Sequence, residues 1–298
     1  MLHIVTLVSH PAQALLRQAH IDALAAHLPG TSAAHWLAPQ IAADLSVPLD
    51  GAIDKKQLAD HLRQQLNGAA LDVIVQHAEG RRKKLFLADM DSTMIGQECI
   101  DELADFAGMK SHVAAITERA MRGEIEFEPA LRERVALLKG LEADIIERVY
   151  EERIRLTSGA KELVATMRAH GTYTALVSGG FTLFTQKVAA ALGFDEHRGN
   201  QLIVENDHFA GKVADPILGR EAKLNTLTSL RDQHKLSHNE TMAVGDGAND
   251  LAMLEEAGIG IAYHAKPAVA AAAHVRIDHA DLTALLYMQG YSAADIIK

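Results

Sequence analysis

One cysteine, Cys99, occurs in 298 residues, so no disulfide can form within the chain and a reducing compartment such as the cytoplasm fits. No run of about 20 apolar residues is present to cross a membrane, and the first residues lack a basic-then-apolar export signal. Cationic excess is also missing. The net charge is −10, which counts against nucleic acid or an anionic membrane surface as the main partner. An anionic substrate would therefore need locally concentrated cations. Histidine is plentiful, at 16 residues, but scattered, without an HxH pair, an HExxH or a second cysteine, so a zinc site is not expected. Hydrophobic residues make up 48% of the chain, which at this length supports a sizeable core and about two domains. A soluble cytoplasmic enzyme is the expectation.

Three regions separate along the chain. Residues 1–78 read as strand, helix, two short strands, helix and strand, with "LHIVTLVSH" and "LDVIVQH" as the outer strands and a first helix over 12–28. That βαββαβ order predicts a small two-layer α+β module. The charged "EGRRKK" at 79–84 makes a plausible linker. From about 156 onward, short apolar strands alternate with helical patterns.

Three of the short strands follow one plan. "KKLFLA" runs into Asp89, "TYTALV" into Ser178-Gly179-Gly180, and "ETMAV" into Gly245-Asp246-Gly247. Continuous apolar runs of this length suit strands buried on both faces of a parallel sheet, and ligands bind such sheets beyond the carboxyl ends of the strands. If these ends converge, Asp89, Asp91, Ser178, Asp246 and Asp250 share one crevice. Residues 97–155 between the first and second strands are helical in pattern and too long for a simple crossover, so they predict an inserted helical cap. Leu131, Val135 and Leu138 form its apolar stripe, with Arg134 at the edge.

The "DMDST" stretch places two carboxylates two residues apart, on one face if the backbone is extended. Carboxylates this close favour a hard divalent cation, and an oxygen-rich set suits Mg²⁺. The hydroxyl of Ser178, the amides beside its glycines and Lys223, which lies on the apolar side of "REAKLNTLTSL", would hold a phosphoryl group. The parts therefore suggest phosphoryl transfer, with Asp89 as nucleophile and Asp91 as the acid and base that handles the proton.

These residues resemble a known family. "DMDST", "SGGF", Lys223 and "GDGANDLAM", in that order, are similar to the four signatures of the haloacid dehalogenase superfamily of phosphatases, most closely its phosphoserine phosphatases, over about 84–298. The resemblance implies an α/β, Rossmann-like core of 84–96 and 156–298 with a parallel sheet, the helical cap of 97–155, and hydrolysis of O-phospho-L-serine as the last step of serine biosynthesis. It implies Mg²⁺ held by the side chains of Asp89 and Asp246 and the backbone carbonyl of Asp91, with Asp250 behind the metal's waters. It also implies that Ser178, Gly179 and Lys223 grip the phosphate, that Asn249 borders the site, and that Glu98, Met121, Phe127 and Arg134 of the cap meet the substrate. Glu98 would take the ammonium and Arg134 the carboxylate. From helical angle alone Glu98 lies opposite the stripe of Ile100, Leu103 and Ala107, as an ordinary first-turn acid would.

Residues 1–78 are similar in layout to ACT-like, ferredoxin-like domains. Their first turn reads "SHPAQ", without the glycine usual in ligand-binding members, which puts amino-acid sensing in doubt and sets scaffolding or a homodimer contact beside it as at least equal readings. Rival readings are a signalling receiver domain, which needs neither Asp91 nor the cap, a non-catalytic amino-acid-binding protein, and a phosphatase or phosphotransferase for another small phosphorylated alcohol.

Overall fold

Two sheets organise the chain, and the period of apolar residues accounts for both. The computed structural model describes residues 1–49, 53–121 and 124–298, with the side chains of Glu118, Ala120 and Met121 outside the description. The first sheet contains β1 (Leu2–Ser9), β2 (His35–Ala38), β3 (Ala42–Pro48) and β4 (Leu71–His77). Helices α1 (Gln18–Ala25) and α2 (Lys55–Gln64) complete the expected βαββαβ order. The strands pair antiparallel in the order β2-β3-β1-β4. Alternation along β1 explains why it is buried on both faces. Val5 and Leu7 pack with Ile21, Leu24 and Leu62 of the two helices, whereas Val8 joins the core of the larger sheet. Helix α1 is shorter than the apolar pattern over 12–28 suggests. Residues 10–17 instead loop back: Ala14 has a left-handed backbone (φ 48°), and the Leu15 amide donates to Ser9 Oγ at 2.9 Å.

The 79–84 stretch joins the two sheets with its charges docked. Arg81 donates from Nη1 to Asp44 Oδ2 at 2.8 Å and from Nε to the Met288 carbonyl at 3.0 Å. Lys83 is 8% exposed and donates to the carbonyls of Gly80 and Asn239.

The second sheet begins at β5 (Leu85–Ala88), after which the chain makes helices α3 (Cys99–Phe106), α4 (Lys110–Met121), α5 (Phe127–Ala136) and α6 (Ile145–Arg153). It continues through α7 (Ala160–Ala169), β6 (Tyr173–Phe181), α8 (Thr182–Leu192), β7 (Glu196–Asn200) and the hairpin β8 (Leu202–Glu205) and β9 (His208–Val213). Then come α9 (Arg220–Gln233), β10 (Thr241–Gly245), α10 (Leu251–Glu256), β11 (Ile259–Tyr263), α11 (Pro267–Ala272), β12 (Val275–Ile277) and α12 (Ala284–Tyr287). Six strands pair in parallel in the order β12-β11-β10-β5-β6-β7. The chain moves outward from β5 to β7, then returns to β10 on the other side, so the topological switch lies between β5 and β10. Both strands are apolar throughout because both of their faces are covered. Phe86, Ala88, Met242 and Val244 face one apolar cluster, and Leu85, Leu87 and Ala243 face another.

Helices α3 to α6 lie between β5 and β6 in the chain, and Leu131, Val135 and Leu138 are buried as their spacing predicts. The β8–β9 hairpin, which no sequence pattern had singled out, braces these helices by backbone bonds. Gly140 donates to the Phe209 carbonyl at 2.9 Å, and Ala143 to the Asp207 carbonyl at 2.8 Å. Among the described residues no helix is long and apolar enough to cross a membrane.

Candidate active site

The adjacent ends of β10, β5 and β6 bring the acidic motifs together. Asp89 follows β5, and its amide donates to the Val244 carbonyl at 3.0 Å, continuing the ladder to β10. Its side chain is therefore carried into the crevice beside β10, where it is 4% exposed. Lys223 projects from the buried side of α9 together with Leu227 and Leu230. Its Nζ lies 2.6 Å from Asp89 Oδ1 and 2.6 Å from Asp250 Oδ1. Arg231, further along the same helix, is turned to Glu256 at 2.6 Å. One ammonium thus serves two carboxylates. Burial alone would lower the pKa of Lys223, but Asp250 and Asp89 outweigh it and raise it. Asp89 is only half compensated, so burial and the charge of Asp250 hold its pKa well above the carboxylate range, against the pull of Lys223.

Carboxylate oxygens of Asp89, Asp246 and Asp250 all lie within 4.8 Å of one another. Asp246 accepts from Thr93 Oγ1 at 3.3 Å, and its pKa is raised to about 6 by burial, by Asp250 and by Glu98. Lys223 offsets one of these three charges, and a small divalent cation among the oxygens would offset the rest, so the donor set fits Mg²⁺. Both oxygens of Asp250 are already engaged: Oδ1 by Lys223, and Oδ2 by the Gly247 amide at 3.0 Å. That suits support of the site better than direct ligation. Gly245 has no room for a side chain, because a Cβ there would run into the Asp250 carboxylate.

Asp91 enters the same crevice but turns to different partners from Asp89. The backbone is extended at both Asp89 (ψ 159°) and Asp91 (ψ 138°), and a tight loop over Met90–Met94 then turns at Ser92, which has a left-handed conformation (φ 55°). Asp91 Oδ1 accepts the Cys99 amide at 3.1 Å, at the start of α3, and Oδ2 accepts the Ser178 hydroxyl at 3.4 Å. Its side chain is outside the carboxylate trio. Burial and the charge of Glu98 push the pKa of Asp91 up to about 7, with the Cys99 donation opposing. Ser178 also accepts the Gly180 amide at 2.8 Å, so that amide is already engaged.

The cap closes over these groups through its helix ends. Phe127, at the start of α5, packs on Gly179 and Gly219; a Cβ on Gly179 would lie 3.2 Å from the ring. Arg134, half-buried, donates to the Ala130 carbonyl at 3.2 Å and to Thr117 Oγ1 at 3.4 Å. Its pKa is lowered by burial, while Asp101, Glu98 and Asp91 all act on it in the opposite sense. Glu98 accepts from Ser92 Oγ at 2.7 Å on the open side of the crevice; the protein crowding its carboxyl group raises its pKa, and the Ser92 bond opposes. Glu98 and Arg134 therefore face the same space. Asn249 is half-buried over Gly247 at the edge of the site. The side chain of Met121 lies outside the described residues.

Residues 86–255 match the haloacid dehalogenase-like hydrolase family. The chain is a haloacid dehalogenase-like hydrolase. It is 44% identical over 218 residues to a phosphoserine phosphatase of Archaeoglobus fulgidus, a match covering 72% of this chain and 63% of that one. It is 47% identical over 204 residues to a phosphoserine phosphatase of Lactococcus lactis, covering 68% and 94% respectively. This hydrolase thus spans less than two thirds of the archaeal relative and nearly all of the shorter one. Among solved structures, a HAD family hydrolase of Salmonella enterica serovar Typhi shares the fold across 96% of this chain and 98% of its own, at TM-score 0.85 and 27% identity. A phosphoserine phosphatase solved as a phospho-aspartyl intermediate analogue covers 69% of this chain and 98% of its own, at TM-score 0.65 and 39% identity.

Three residues of the hydrolase's crevice escaped the sequence reading. Ser92 and Thr93, inside the recognised motif, orient Glu98 and Asp246. Lys266, exposed, has its amide 3.3 Å from the Asp246 carbonyl, and its charge acts on both Asp246 and Glu98. Nothing local marks a lysine after β11 as belonging to a site built 20 residues earlier. A cavity of about 690 Å³ lies elsewhere, at the opposite ends of the strands, among Lys84, Arg168, Tyr173 and His234. It contains none of the crevice carboxylates.

Proposed function

We propose that this hydrolase cleaves O-phospho-L-serine to L-serine and inorganic phosphate, in the cytoplasm, as the last step of serine biosynthesis, with Mg²⁺ as cofactor. The observation that supports this most is the meeting of Asp89, Asp246 and the Lys223–Asp250 pair beyond adjacent parallel strands, with Asp91 and Ser178 alongside. Asp89 attacks phosphorus as the bond from phosphorus to the seryl oxygen breaks, and Asp91 gives its proton to that oxygen. Asp91, now a carboxylate, takes a proton from water, whose oxygen attacks phosphorus and releases phosphate from Asp89. A carboxyl group whose pKa lies near 7 can serve both halves of this cycle. Lys223, Ser178 and the backbone at Gly179 hold the phosphoryl oxygens. Mg²⁺, when bound by Asp89, Asp246 and the Asp91 carbonyl, neutralises charge that these groups could not otherwise carry together.

Selection of phosphoserine falls to the cap. Glu98 receives the substrate ammonium, Arg134 its carboxylate, and Phe127 with Met121 the carbon skeleton between them. The deciding experiment measures phosphate release over many turnovers from phosphoserine and a panel of small phosphate esters, with and without chelator. Acid quench should trap phosphate on Asp89. Preference for another ester would replace the substrate and keep the chemistry, whereas label on a different residue would remove the chemistry as well.

A further inference from the structure

The loop 278–283, between β12 and α12, touches three parts of the molecule that are distant in sequence. Its first three amides, those of Asp278, His279 and Ala280, donate to the Asp72 carboxylate of β4 at 2.8, 3.2 and 2.8 Å. Asp72 is 0% exposed, and these contacts fasten the N-terminal sheet to the catalytic core. A second arm reaches the crevice. His264, just past β11, donates its amide to the Ile277 carbonyl at 2.8 Å, and its Nε2 lies 2.9 Å from the Ala280 carbonyl. Two residues on, the Lys266 amide meets the Asp246 carbonyl. The third arm reaches the point where the cap rejoins the core. Asp281 Oδ2 accepts the Ser158 hydroxyl at 2.8 Å, and the Leu282 amide donates to the Ser158 carbonyl at 3.1 Å. Beside it, Thr157 donates to the Met94 carbonyl and Gly96 to the Arg155 carbonyl, both at 3.0 Å, so the outgoing and returning strands of the cap are tied there.

We propose that Asp72 is a positioning residue: by holding 278–280 it makes the N-terminal sheet a brace for both the Asp246 loop and the cap hinge. The module then acts on catalysis without contributing a group to the crevice. A single buried carboxylate that accepts three successive amides fixes the loop's path, and the two further arms depart within three residues of it. The assay substrate and the Mg²⁺ reading rest on the function proposed above, whereas the exchange reading does not.

The test compares Asp72→Asn with Asp44→Asn in the full chain. Asp44 is also a buried acid at the same junction, but its partners are Thr6 and Arg81, and Arg81 leads to Tyr287 and Met288 rather than to 278–283. For Asp72→Asn, amide deuterium exchange should quicken about tenfold over 94–97, 155–159 and 264–266. Calorimetric Mg²⁺ affinity should weaken, and KM for phosphoserine should rise by about threefold or more with kcat little changed. Asp44→Asn should leave all three readings as in the parent. Parent-like exchange in Asp72→Asn, or equal changes in both variants, overturns the proposal. If Asp72→Asn does not fold, Ser158→Ala tests one arm: exchange should quicken over 155–159 with Mg²⁺ affinity unchanged, and unaltered exchange there rejects the brace. Exchange and Mg²⁺ affinity read the same way whichever ester is cleaved, so failure of phosphoserine as substrate is seen separately in the parent chain.

Discussion

The strand ends and the cap hold charge in opposite ways. At the strand ends Asp89, Asp250 and Lys223 are almost wholly removed from solvent, with both carboxylates bonded to the one ammonium at 2.6 Å, on elements whose positions the sheet ladder fixes. In the cap, Glu98 and Arg134 keep part of their surface open, bond among the described residues to neutral neighbours such as Ser92 and Thr117, and stand on helices connected by a narrow hinge. A reacting centre needs groups that cannot reorganise while charge develops, which burial and mutual bonding supply. A recognition surface needs charges left unsatisfied until substrate arrives, which partial exposure supplies. Under the proposed function, chemistry and selectivity fall to different elements of one crevice.

Substitutions on the two sides should separate these tasks. The largest effect is expected at Asp89→Asn, which removes the proposed nucleophile. Turnover of every phosphate ester should fall by at least about 10³-fold, and no acid-stable label should form. A variant that still hydrolyses simple esters at a tenth of the parent rate would break the division. Arg134→Ala should act only on selectivity. Loss of charged hydrogen bonds of about 1.5–3 kcal/mol lowers kcat/KM for phosphoserine roughly 10- to 100-fold. An ester without a carboxylate should lose less than about threefold, because its transition state never used that guanidinium.

The pH dependence of stability sharpens the same contrast. Asp91 and Asp246 have folded pKa values raised to about 7 and about 6 from 3.8, so the folded protein binds more protons than the unfolded chain between those values. Stability from these two groups is therefore full below pH 3.8 and is lost as pH rises through 6 and 7. In chelator, the Tm of the parent should fall more steeply over this window than that of Asp246→Asn, and Mg²⁺ should raise Tm more at pH 8 than at pH 5. Equal slopes in parent and variant would reject the strained acidic cluster. The smallest effect is expected at Lys266→Gln. Removing this exposed cation from the rim should lower kcat/KM about two- to threefold at low salt and hardly at all at high salt.

Much of the crevice was legible because its signals are local. An apolar run followed by Asp89, Ser178 or Asp246 describes a buried parallel strand and its exit, and the order of those motifs carried the family. Leu131 and Val135 gave the buried face of α5, and Leu138 its continuation just past the helix, in the same way, from helical period alone. The Asn206-Asp207 turn, where both residues have left-handed backbones, was a readable hairpin signal that was passed over. Other features had no local signal. The first helix ended up shorter because a hydroxyl at Ser9 captures the Leu15 amide, which no apolar periodicity reports.

What the chain of residues settles unaided is chemical character: which strands are buried on both faces, which acids stand at their ends, and which family those acids belong to. That is so because burial and strand termination depend on neighbours within a few positions. Tertiary packing decides the rest. It assigns Asp89 to Lys223 and Asp91 to Ser178 and Cys99, and it turns the charged 79–84 segment into a docked connection between sheets. Apart from Asp91 and Cys99, eight positions apart, such pairings join residues dozens to hundreds of positions apart, and their geometry exists only once the sheet order has brought those positions together.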